Sequence, residues 1–422
     1  MTATGLVESI TAASEASGKR RRRLSLPVVL LGIAGVLVLV SIVRLITDAN
    51  DITSSGTTGA ALRLAVPIGL AGLGGLWSER SGVVNIGLEG QLILGTWFGA
   101  WGAYEFGPWW GVVAGIIGGA LGGLILAIAT VSFGVDHIVA GVAITILGGG
   151  ITRFLSALIF VNTPGGGVTQ SPSLPRISTV TVPGSGPLRT LENKHWFVVS
   201  DIAGVLGGLI TQISLLTIVA VLLVPISYLV LWRTKFGLRL RSCGEAPGAA
   251  ESLGVNVYTM KYIAVILSGG FAGLGGAFLS EVATNIYREG QTNGRGYIGL
   301  AAMIFGNWRP GGLAVGSAIF GYTDALQLRS GGQSVHALLL LLAIVLALLA
   351  GWSVWRGRRM QAIVSVVVAA AALVWYLTTD TVPDEFVGFA PHLTTLLVLS
   401  LAAQRLRPPA ADGKPYRRGE AG

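Results

Sequence analysis

Runs of apolar residues alternate with short polar segments along almost the whole chain. A run of about 20 apolar residues is long enough to cross a bilayer as a helix. The pattern therefore predicts an all-α integral membrane protein with about 10–12 transmembrane helices. The predicted spans are 27–46, 60–77, 83–104, 109–131, 136–160, 205–232, 260–281, 296–307, 311–328, 335–355, 361–378 and 390–404.

One predicted span, 296–307, is too short for a full crossing. Glycines surround it at Gly294, Gly296, Gly299 and Gly306. Broken backbone of this kind survives in a membrane only where it is buried in protein or lines a wet cavity. We therefore predict a broken or re-entrant helix at this position.

Composition and charge support a membrane protein and suggest its orientation. Charged residues make up 12% of the 422 residues, against about 25% in a soluble protein. The net charge of +9 comes from clusters at span ends, such as Lys19–Arg23 and Arg233–Arg241. Such clusters mark the cytoplasmic face, so they do not indicate a nucleic-acid partner. The predicted regions are a cytoplasmic polar leader (1–26), a transmembrane domain (27–404) with an extracytoplasmic loop (161–204) and a cytoplasmic loop (233–258), and a cytoplasmic tail (405–422).

Metal and disulfide chemistry are not indicated by the sequence. Cys243 is the only cysteine, so no internal disulfide can form. The histidines lie far apart in different loops or helix ends, and no metal-ligand spacing emerges. They are His137, His195, His336 and His392.

The chain contains an internal repeat. Ala71-Gly-Leu-Gly-Gly75 recurs as Ala272-Gly-Leu-Gly-Gly276, and Asn85-Ile-Gly-Leu-Glu-Gly-Gln91 recurs as Asn285-Ile-Tyr-Arg-Glu-Gly-Gln291. The predicted spans place the two copies in opposite directions across the membrane. This is an inverted-topology repeat, an architecture that places a transport pathway at the repeat interface.

A polar segment at 76–91 separates two apolar helices. Charged groups near the bilayer cost at least about 2.5 kcal/mol each unless they are paired or wet. The segment is therefore either a solvated turn or the lining of a polar pathway. We favour the turn for Glu79 and Arg80, and the pathway for Asn85 and Glu89, which would share one helical face at i and i+4.

The basic loop 233–258 contains a candidate docking helix. Residues 244–254 form a short Ala-rich stretch in which Pro247 suits a first helical turn and Gly254 suits a C-terminal stop. A small helix held between two spans fits a partner's groove.

Three stretches carry a resemblance to a known family. Glu79-Arg-Ser-Gly-Val-Val-Asn-Ile-Gly-Leu-Glu-Gly90 is similar to the signature of permeases in bacterial nucleoside ABC importers, which belong to the wider simple-sugar and branched-chain amino-acid permease family. Residues 243–254 resemble the coupling loop of this family, which docks on the ATPase. Residues 294–312 resemble its broken-helix segment. The likeness covers roughly residues 60–330 and departs in the N-terminal leader and after Trp355.

The resemblance implies a transport machine of several subunits in the bacterial inner membrane. An extracytoplasmic substrate-binding protein delivers substrate, two permease subunits form the pathway, and ABC ATPase subunits drive it. The second permease is expected to be a related but different chain, and both termini of this chain to be cytoplasmic. The chain has no G-x-x-x-x-G-K-[ST] phosphate loop. It is therefore expected to be no enzyme and to bind no cofactor, with ATP used by its partners.

The motifs, and the chemistry that a nucleoside would need, give candidate residues for the two predicted sites. The expected coupling residues are Gly244, Glu245, Pro247, Ala249, Ala250 and Gly254. The expected pathway residues are Asn85, Glu89, Trp77, Asn285, Asn293 and Phe305. The aromatic residues, with Trp97 as a further candidate, would stack on a nucleobase, and packing between helices is the alternative for them. Helix capping is the alternative for the asparagines at 285, 293 and 307.

Three other functions remain open on the sequence. The first is the same machine importing a simple sugar. The second is an ion- or proton-coupled secondary transporter, in which Glu89 or Glu281 would carry the proton. The third is a membrane-embedded enzyme. The sequence shows no cluster of His, Asp and Glu residues, and this argues against an enzyme.

Overall fold

The computed structural model describes residues 26–383 and 406–419, and this part of the chain is mostly helical. The all-α fold predicted from the sequence is confirmed. The helices are α1 (Leu26–Thr47), α2 (Ser55–Arg80), α3 (Leu88–Phe106), α4 (Pro108–Ala127), α5 (His137–Ile159), α6 (Ser185–Glu192), α7 (Val199–Ile210), α8 (Leu215–Arg233), α9 (Lys235–Glu245), α10 (Pro247–Ser252), α11 (Val257–Phe278), α12 (Arg295–Phe305), α13 (Pro310–Trp355) and α14 (Arg359–Thr378).

Shorter elements complete the described part of the chain. A 3-10 turn, Asn50–Thr53, precedes α2. The π-helical turns Ile128–Ser132 and Leu279–Ala283 continue α4 and α11. The strands β1 (Thr179–Val180) and β2 (Ile213–Ser214) form an antiparallel pair in which Thr179 lies opposite Ser214.

Within the described residues, 7 helical segments are long and apolar enough to cross a membrane. They are Ser55–Arg80, Pro108–Ser132, His137–Ile159, Leu215–Arg233, Val257–Ala283, Gly331–Trp355 and Arg359–Thr378. The half-length helix predicted at 296–307 is present as α12, whose 11 residues rise only about 16 Å. The predicted span 390–404 and the leader up to residue 25 lie outside the described residues.

Two predicted spans have wrong boundaries. The span predicted from residue 83 begins at Leu88, because residues 81–87 form turns and extended backbone, with Gly82 at a φ of +86°. Asn85 therefore precedes α3 and does not share a helical face with Glu89. The span predicted at 205–232 is two helices, because the Ser214 hydroxyl accepts the N–H of Thr217 at 3.0 Å and starts α8 anew.

Both predicted loops contain helices. Within 161–204, α6 and the start of α7 are helical. Within 233–258, Thr234 accepts the N–H of Gly237 at 3.1 Å and caps α9. This helix buries Leu240 and Cys243, so an amphipathic stretch that looks merely polar in sequence packs against the bundle.

The 46-residue helix α13 is a hairpin of two helices that meet at Gly331, where φ is 54° and ψ is −141°. Tyr322 lies before Gly331 and donates a 2.8 Å hydrogen bond to the carbonyl oxygen of Ile52. Ala337 lies after Gly331 and packs in the same buried cluster as Ile52. The chain therefore reverses at Gly331, which agrees with the separate spans predicted at 311–328 and 335–355.

Positive side chains collect at one end of the bundle, which we call the basic end. Arg80 at the end of α2 and Arg241 of α9 both lie over the ring of Trp232, each guanidinium carbon 5.4 Å from the ring centroid. Arg309 lies close enough to Arg80 to repel it, and Arg233 ends α8. The 3-10 turn, α6, α7 and the strand pair occupy the opposite end.

The two repeat copies run in opposite directions, as predicted. Helix α2, with the first Gly-rich run, ends at the basic end, whereas α11, with the second run, begins there. The two helices pack at glycines: a Cβ on Gly275 would lie 3.1 Å from the carbonyl oxygen of Pro67. Each copy continues through a non-helical segment, 81–87 or 284–294, into a further helix, α3 or α12.

Glycines also bring α4 within backbone distance of α11. A Cβ added to Gly273 would lie 2.9 Å from the Cα of Gly119, and one added to Gly119 would lie 2.6 Å from the amide nitrogen of Gly273. Close approach of this kind is how helices gain packing contacts inside a membrane, where lipid is as apolar as leucine.

Candidate functional site

The N-termini of α3 and α12 meet at the carboxylate of Glu89. Glu89 lies in the first turn of α3, and its Oε1 accepts the N–H of Gly294 at 3.0 Å while its Oε2 accepts the N–H of Gly296 at 2.7 Å. Helix N-termini carry unpaired N–H groups and a partial positive charge. The buried carboxylate of Glu89 thus accepts two N–H groups at the start of α12 and also lies at the positive end of its own helix, α3.

Asn85 makes a second link between the repeat copies. Its side-chain amide donates to Ser268 Oγ of α11 at 2.8 Å and to Gln91 Oε1 of α3 at 2.9 Å. All three side chains are fully buried. This network holds segment 81–87 in place between α2 and α3. The three polar side chains are buried away from solvent and must therefore form hydrogen bonds with one another.

A third link joins the copies at the basic end. The indole N–H of Trp308, just after α12, donates to Glu79 Oε2 at 2.5 Å. Arg80 donates to the carbonyl oxygen of Trp308 at 2.8 Å. Glu79 is nearly fully buried, so the solvated turn that we favoured for Glu79 and Arg80 is wrong: both side chains are bound to the second copy.

A short helix is present at the predicted position as α10, with Pro247 at its first position and Gly254 beyond its end at a φ of +82°; its docking on a partner stays a prediction. Glu245 forms a 3.7 Å ion pair with Arg80 of α2. Gly244 lies against the turn at Gly82, where a Cβ on Gly82 would be 3.2 Å from the Cα of Gly244. We call residues 244–254 the coupling segment; it touches the bundle where the first repeat copy ends.

Small residues face outward on α10, and an exposed leucine follows its last residue. Ala250 is buried, whereas Gly248, Ala249 and Ser252 are exposed and Leu253 is 85% exposed. A small helix with an unpartnered apolar side chain at its tip can dock in a groove on another protein.

A cavity of about 970 Å³ opens at the end opposite the basic end. The start of α2, the strand pair and the segment after α11 line it, with hydroxyl or amide groups from Ser178, Thr179, Gln212 and Asn285. Arg63, Arg176 and Arg329 also line it. Such a cavity can hold a polar molecule of small to moderate size.

The six predicted pathway residues do not converge on this cavity. Asn285 lines it, whereas Glu89 and Asn85 lie buried between the helices that join the copies. Asn293 is exposed in the turn before α12. The assignment of these six residues to a transport pathway stays a prediction. It concerns conformations in which the interface between the two repeat copies is open.

The aromatic candidates pack within the bundle. Trp77 donates to Ser227 Oγ at 3.1 Å and packs against Phe271, with 5.8 Å between the ring centroids and 39° between the ring planes. Trp97 donates to Ser156 Oγ at 2.9 Å. Phe305 lies 5.8 Å from Phe320. Of the described residues, none that lines the large cavity is aromatic, so in this conformation these rings pack between helices.

Several site residues escaped the sequence reasoning. Ser268 and Trp308 make cross-copy hydrogen bonds, and neither stands out by charge or motif. Gly294 and Gly296 were noted as helix breakers, not as N–H donors. By contrast, Glu281 is named from the sequence as a candidate proton carrier. It lies in the π-helical turn and is 1% exposed, and neither carboxyl oxygen has a hydrogen-bond partner within the described residues. The described residues contain no group of three or more potential metal ligands.

Antiparallel repeats, a half-length helix and helix N-termini that meet inside the bundle are features of membrane transport proteins. The chain belongs to the family described as branched-chain amino acid transport system / permease component, whose model matches residues 57–348. It is therefore a multi-pass membrane permease component. Permeases of ABC transporters work with ATPase and substrate-binding partners.

Curated relatives share most of the chain. The guanosine ABC transporter permease protein NupQ of Bacillus subtilis is 33% identical over 86% of this chain and 96% of its own length. The nucleoside ABC transporter permease protein NupC of Lactococcus lactis is 30% identical over 83% and 93%. The glucose ABC transporter permease protein TsgB13 of Haloferax volcanii is 27% identical over 60% and 63%. No solved structure matches the chain.

Proposed function

We propose that the chain is a permease subunit of an ATP-driven importer of nucleosides. The observation that carries the proposal is the 33% identity, over 86% of the chain, to a guanosine ABC transporter permease. The buried links at Glu89 and Asn85 would be the contacts that rearrange when the pathway opens. No covalent chemistry is assigned to the chain.

The basic end is assigned to the cytoplasm. Arginines at the end of α2, at the end of α8 and just before α13 lie there, and short loops rich in Lys and Arg remain on the cytoplasmic side of a membrane. Both termini would then be cytoplasmic, in a bacterial inner membrane. The large cavity would face outward, which makes the described conformation ready to receive substrate from an extracytoplasmic binding protein.

The coupling segment is assigned to the ATPase partner. Its exposed face offers Ala249 and Leu253, and Glu245 near its start contacts Arg80. A push on α10 would therefore reach the end of α2 directly. ATP would be bound by the partner subunits, and a second, related permease chain would complete the pathway.

The substrate assignment is tested by uptake of radiolabelled guanosine, uridine, ribose and glucose in cells with and without the gene. Loss of guanosine and uridine uptake alone, together with sensitivity to ATP depletion, is the expected result. Loss of ribose or glucose uptake alone would favour a sugar importer, the function named for the Haloferax volcanii relative. Uptake that follows the proton gradient and not ATP would overturn the ABC assignment.

The docking assignment is tested by Ala249→Trp. The alanine is exposed on α10, so the substitution leaves the bundle intact and blocks a groove that must accept a small helix. Uptake should fall at least about tenfold, the loss from a clash of roughly 1.4 kcal/mol, at an unchanged amount of protein in the membrane. Ala143→Trp, at an exposed alanine of α5, is the control, and normal uptake by Ala249→Trp would remove the assignment.

A further inference from the structure

The described part of the C-terminal tail, residues 406–419, lies against the basic end of the bundle. It falls outside the residues that the family model matches. The segment has no helix or strand, only turns and extended backbone. We call it the strap, because it crosses from the coupling segment to the ends of several helices.

The strap binds the coupling segment at both ends of α10. Before the helix, the N–H of Ala411 donates to the carbonyl oxygen of Gly244 at 2.9 Å, and the N–H of Ala410 donates to Glu245 Oε2 at 3.2 Å. On α10 itself, Glu251 accepts the hydroxyl of Tyr416. Arg418 Nε donates to the same carboxylate at 2.9 Å.

The strap also contacts both repeat copies. The carboxyl group of Asp412 lies beside that of Glu79, at the end of α2. The ring of Tyr416 lies 5.5 Å from that of Tyr258 and 5.7 Å from the ammonium nitrogen of Lys261, both on α11. The N–H of Arg407 donates at 2.9 Å to Asn307 Oδ1, between α12 and α13.

The coupling helix has few other anchors. Helix α10 has only six residues, and Ala250 is its one fully buried side chain. A helix this short has little stability of its own. Its position therefore depends on the segments that touch it, and the strap supplies contacts at both of its ends.

We propose that the strap is a positioning element of the coupling apparatus, with Tyr416 and Glu251 as its central pair. It ties α10 to the ends of α2 and α11, so that a displacement of α10 reaches both repeat copies together. The proposal rests on the proposed docking of the coupling segment on an ATPase. Tyr416 acts through Glu251 and touches no substrate.

Cys243 provides a built-in reporter of strap position. It is the only cysteine in the chain and is fully buried. It forms a cluster with Ala250 and Val257, and Tyr416 packs against this cluster. Burial raises the pKa of the Cys243 thiol to about 11, so the thiol reacts slowly while the strap is in place.

The transport test compares Tyr416→Phe, Glu251→Ala and the double variant in cells that contain the whole transporter. Each single change should lower the maximal rate of guanosine uptake about three- to tenfold, the effect of one lost hydrogen bond. The half-saturating concentration and the amount of protein in the membrane should not change. The double variant should be no slower than the slower single variant, because both changes remove the same contact. Tyr104→Phe, at an exposed tyrosine of α3, is the control.

The labelling test compares the full chain with a chain ending at residue 405. Maleimide should label Cys243 at least about tenfold faster in the shortened chain, since burial protects the thiol. Equal labelling rates, or unchanged maximal uptake in all three strap variants, would overturn the proposal. A loss of uptake explained wholly by less protein in the membrane would also overturn it. If Ala249→Trp stops uptake while the strap variants transport normally, the docking assignment stands and the strap proposal alone fails.

Discussion

The carboxylate of Glu89 accepts the backbone N–H of Gly296 at 2.7 Å, joining residues that lie on different copies of the internal repeat. Only glycine fits opposite Glu89, because a Cβ on Gly296 would lie 2.6 Å from the Cα of Glu89. The hydrogen bond and the close approach therefore depend on each other. Any movement that separates the copies at this point must break the contact.

We expect Glu89→Gln to impair transport. The amide keeps one acceptor oxygen but turns an NH₂ group toward one of two buried N–H donors, and a hydrogen bond to a charged group contributes about 1.5–3 kcal/mol. Uptake should fall roughly tenfold or more, as expected for a loss of about 1.4 kcal/mol. Initial-rate uptake assays, with membrane content measured by immunoblot, check this. Glu105→Gln, at the exposed end of α3, should transport normally, and unchanged kinetics in Glu89→Gln would leave Glu89 a purely structural residue.

We expect Gly119→Ala to destabilise the protein. The new Cβ would meet the amide nitrogen of Gly273 at 2.6 Å, and backbone cannot move aside as a flexible side chain can. Overpacking of this kind costs about 1–3 kcal/mol. Thermal unfolding of the purified protein should start several degrees lower. Gly149→Ala, where a Cβ would meet nothing within 4 Å, is the control, and equal melting of the two variants would contradict the close packing of α4 and α11.

Local patterns in the sequence predicted α10 and the half-length α12. Pro247, Gly254 and the glycines around 296–307 start or end helices at or next to their own positions, so no distant contact is needed to predict these elements. The partners of Glu89 and Asn85 could not be predicted in this way. Gly294 and Gly296 bind Glu89 through their backbone N–H groups and lie about two hundred residues after it in the chain. Every residue except proline has a backbone N–H group, so the residue type does not reveal which ones act as donors. The split at 211–214 was missed because only four residues, Thr-Gln-Ile-Ser, separate two long apolar runs. The capping hydroxyl of Ser214 decides the boundary there.

The contacts of the strap could not be predicted from the sequence either. Residues 406–419 have no apolar periodicity, and a polar tail is typical of a solvated end. Its contacts come from single side chains, such as Tyr416 with Glu251, and from backbone N–H groups. No pattern within the tail points to the coupling segment, which lies more than a hundred and fifty residues earlier in the chain.

We expect Glu281→Gln to transport nearly normally. The carboxyl group of Glu281 has no hydrogen-bond partner among the described residues, so the neutral amide of the same shape replaces it with little loss. In a proton-coupled carrier the same change would remove the titrating group and stop uptake. Guanosine uptake within about twofold of the unmodified protein, a difference under roughly 0.5 kcal/mol, is the expected result. A complete loss, together with dependence on the proton gradient, would favour the secondary transporter.

We expect Asp412→Asn to hold the strap more firmly at neutral pH. Burial raises the pKa of the Asp412 carboxyl from its ordinary 3.8 to about 6; Glu79, Arg80 and Lys261 are the charged groups that face it. Because the bound strap takes up the proton more readily than a released one, binding is strongest at low pH, weakens as the pH rises from about 4 to 6, and is constant above that. Asparagine cannot ionise, so the variant should lose the Asp412 part of this dependence.

Hydrogen–deuterium exchange of residues 406–419 between pH 5 and 8, corrected for intrinsic rates, checks the effect of Asp412→Asn. The variant should exchange more slowly than the unmodified protein at pH 7 and match it more closely at pH 5. Parallel curves for the two proteins would show that Asp412 does not control the strap.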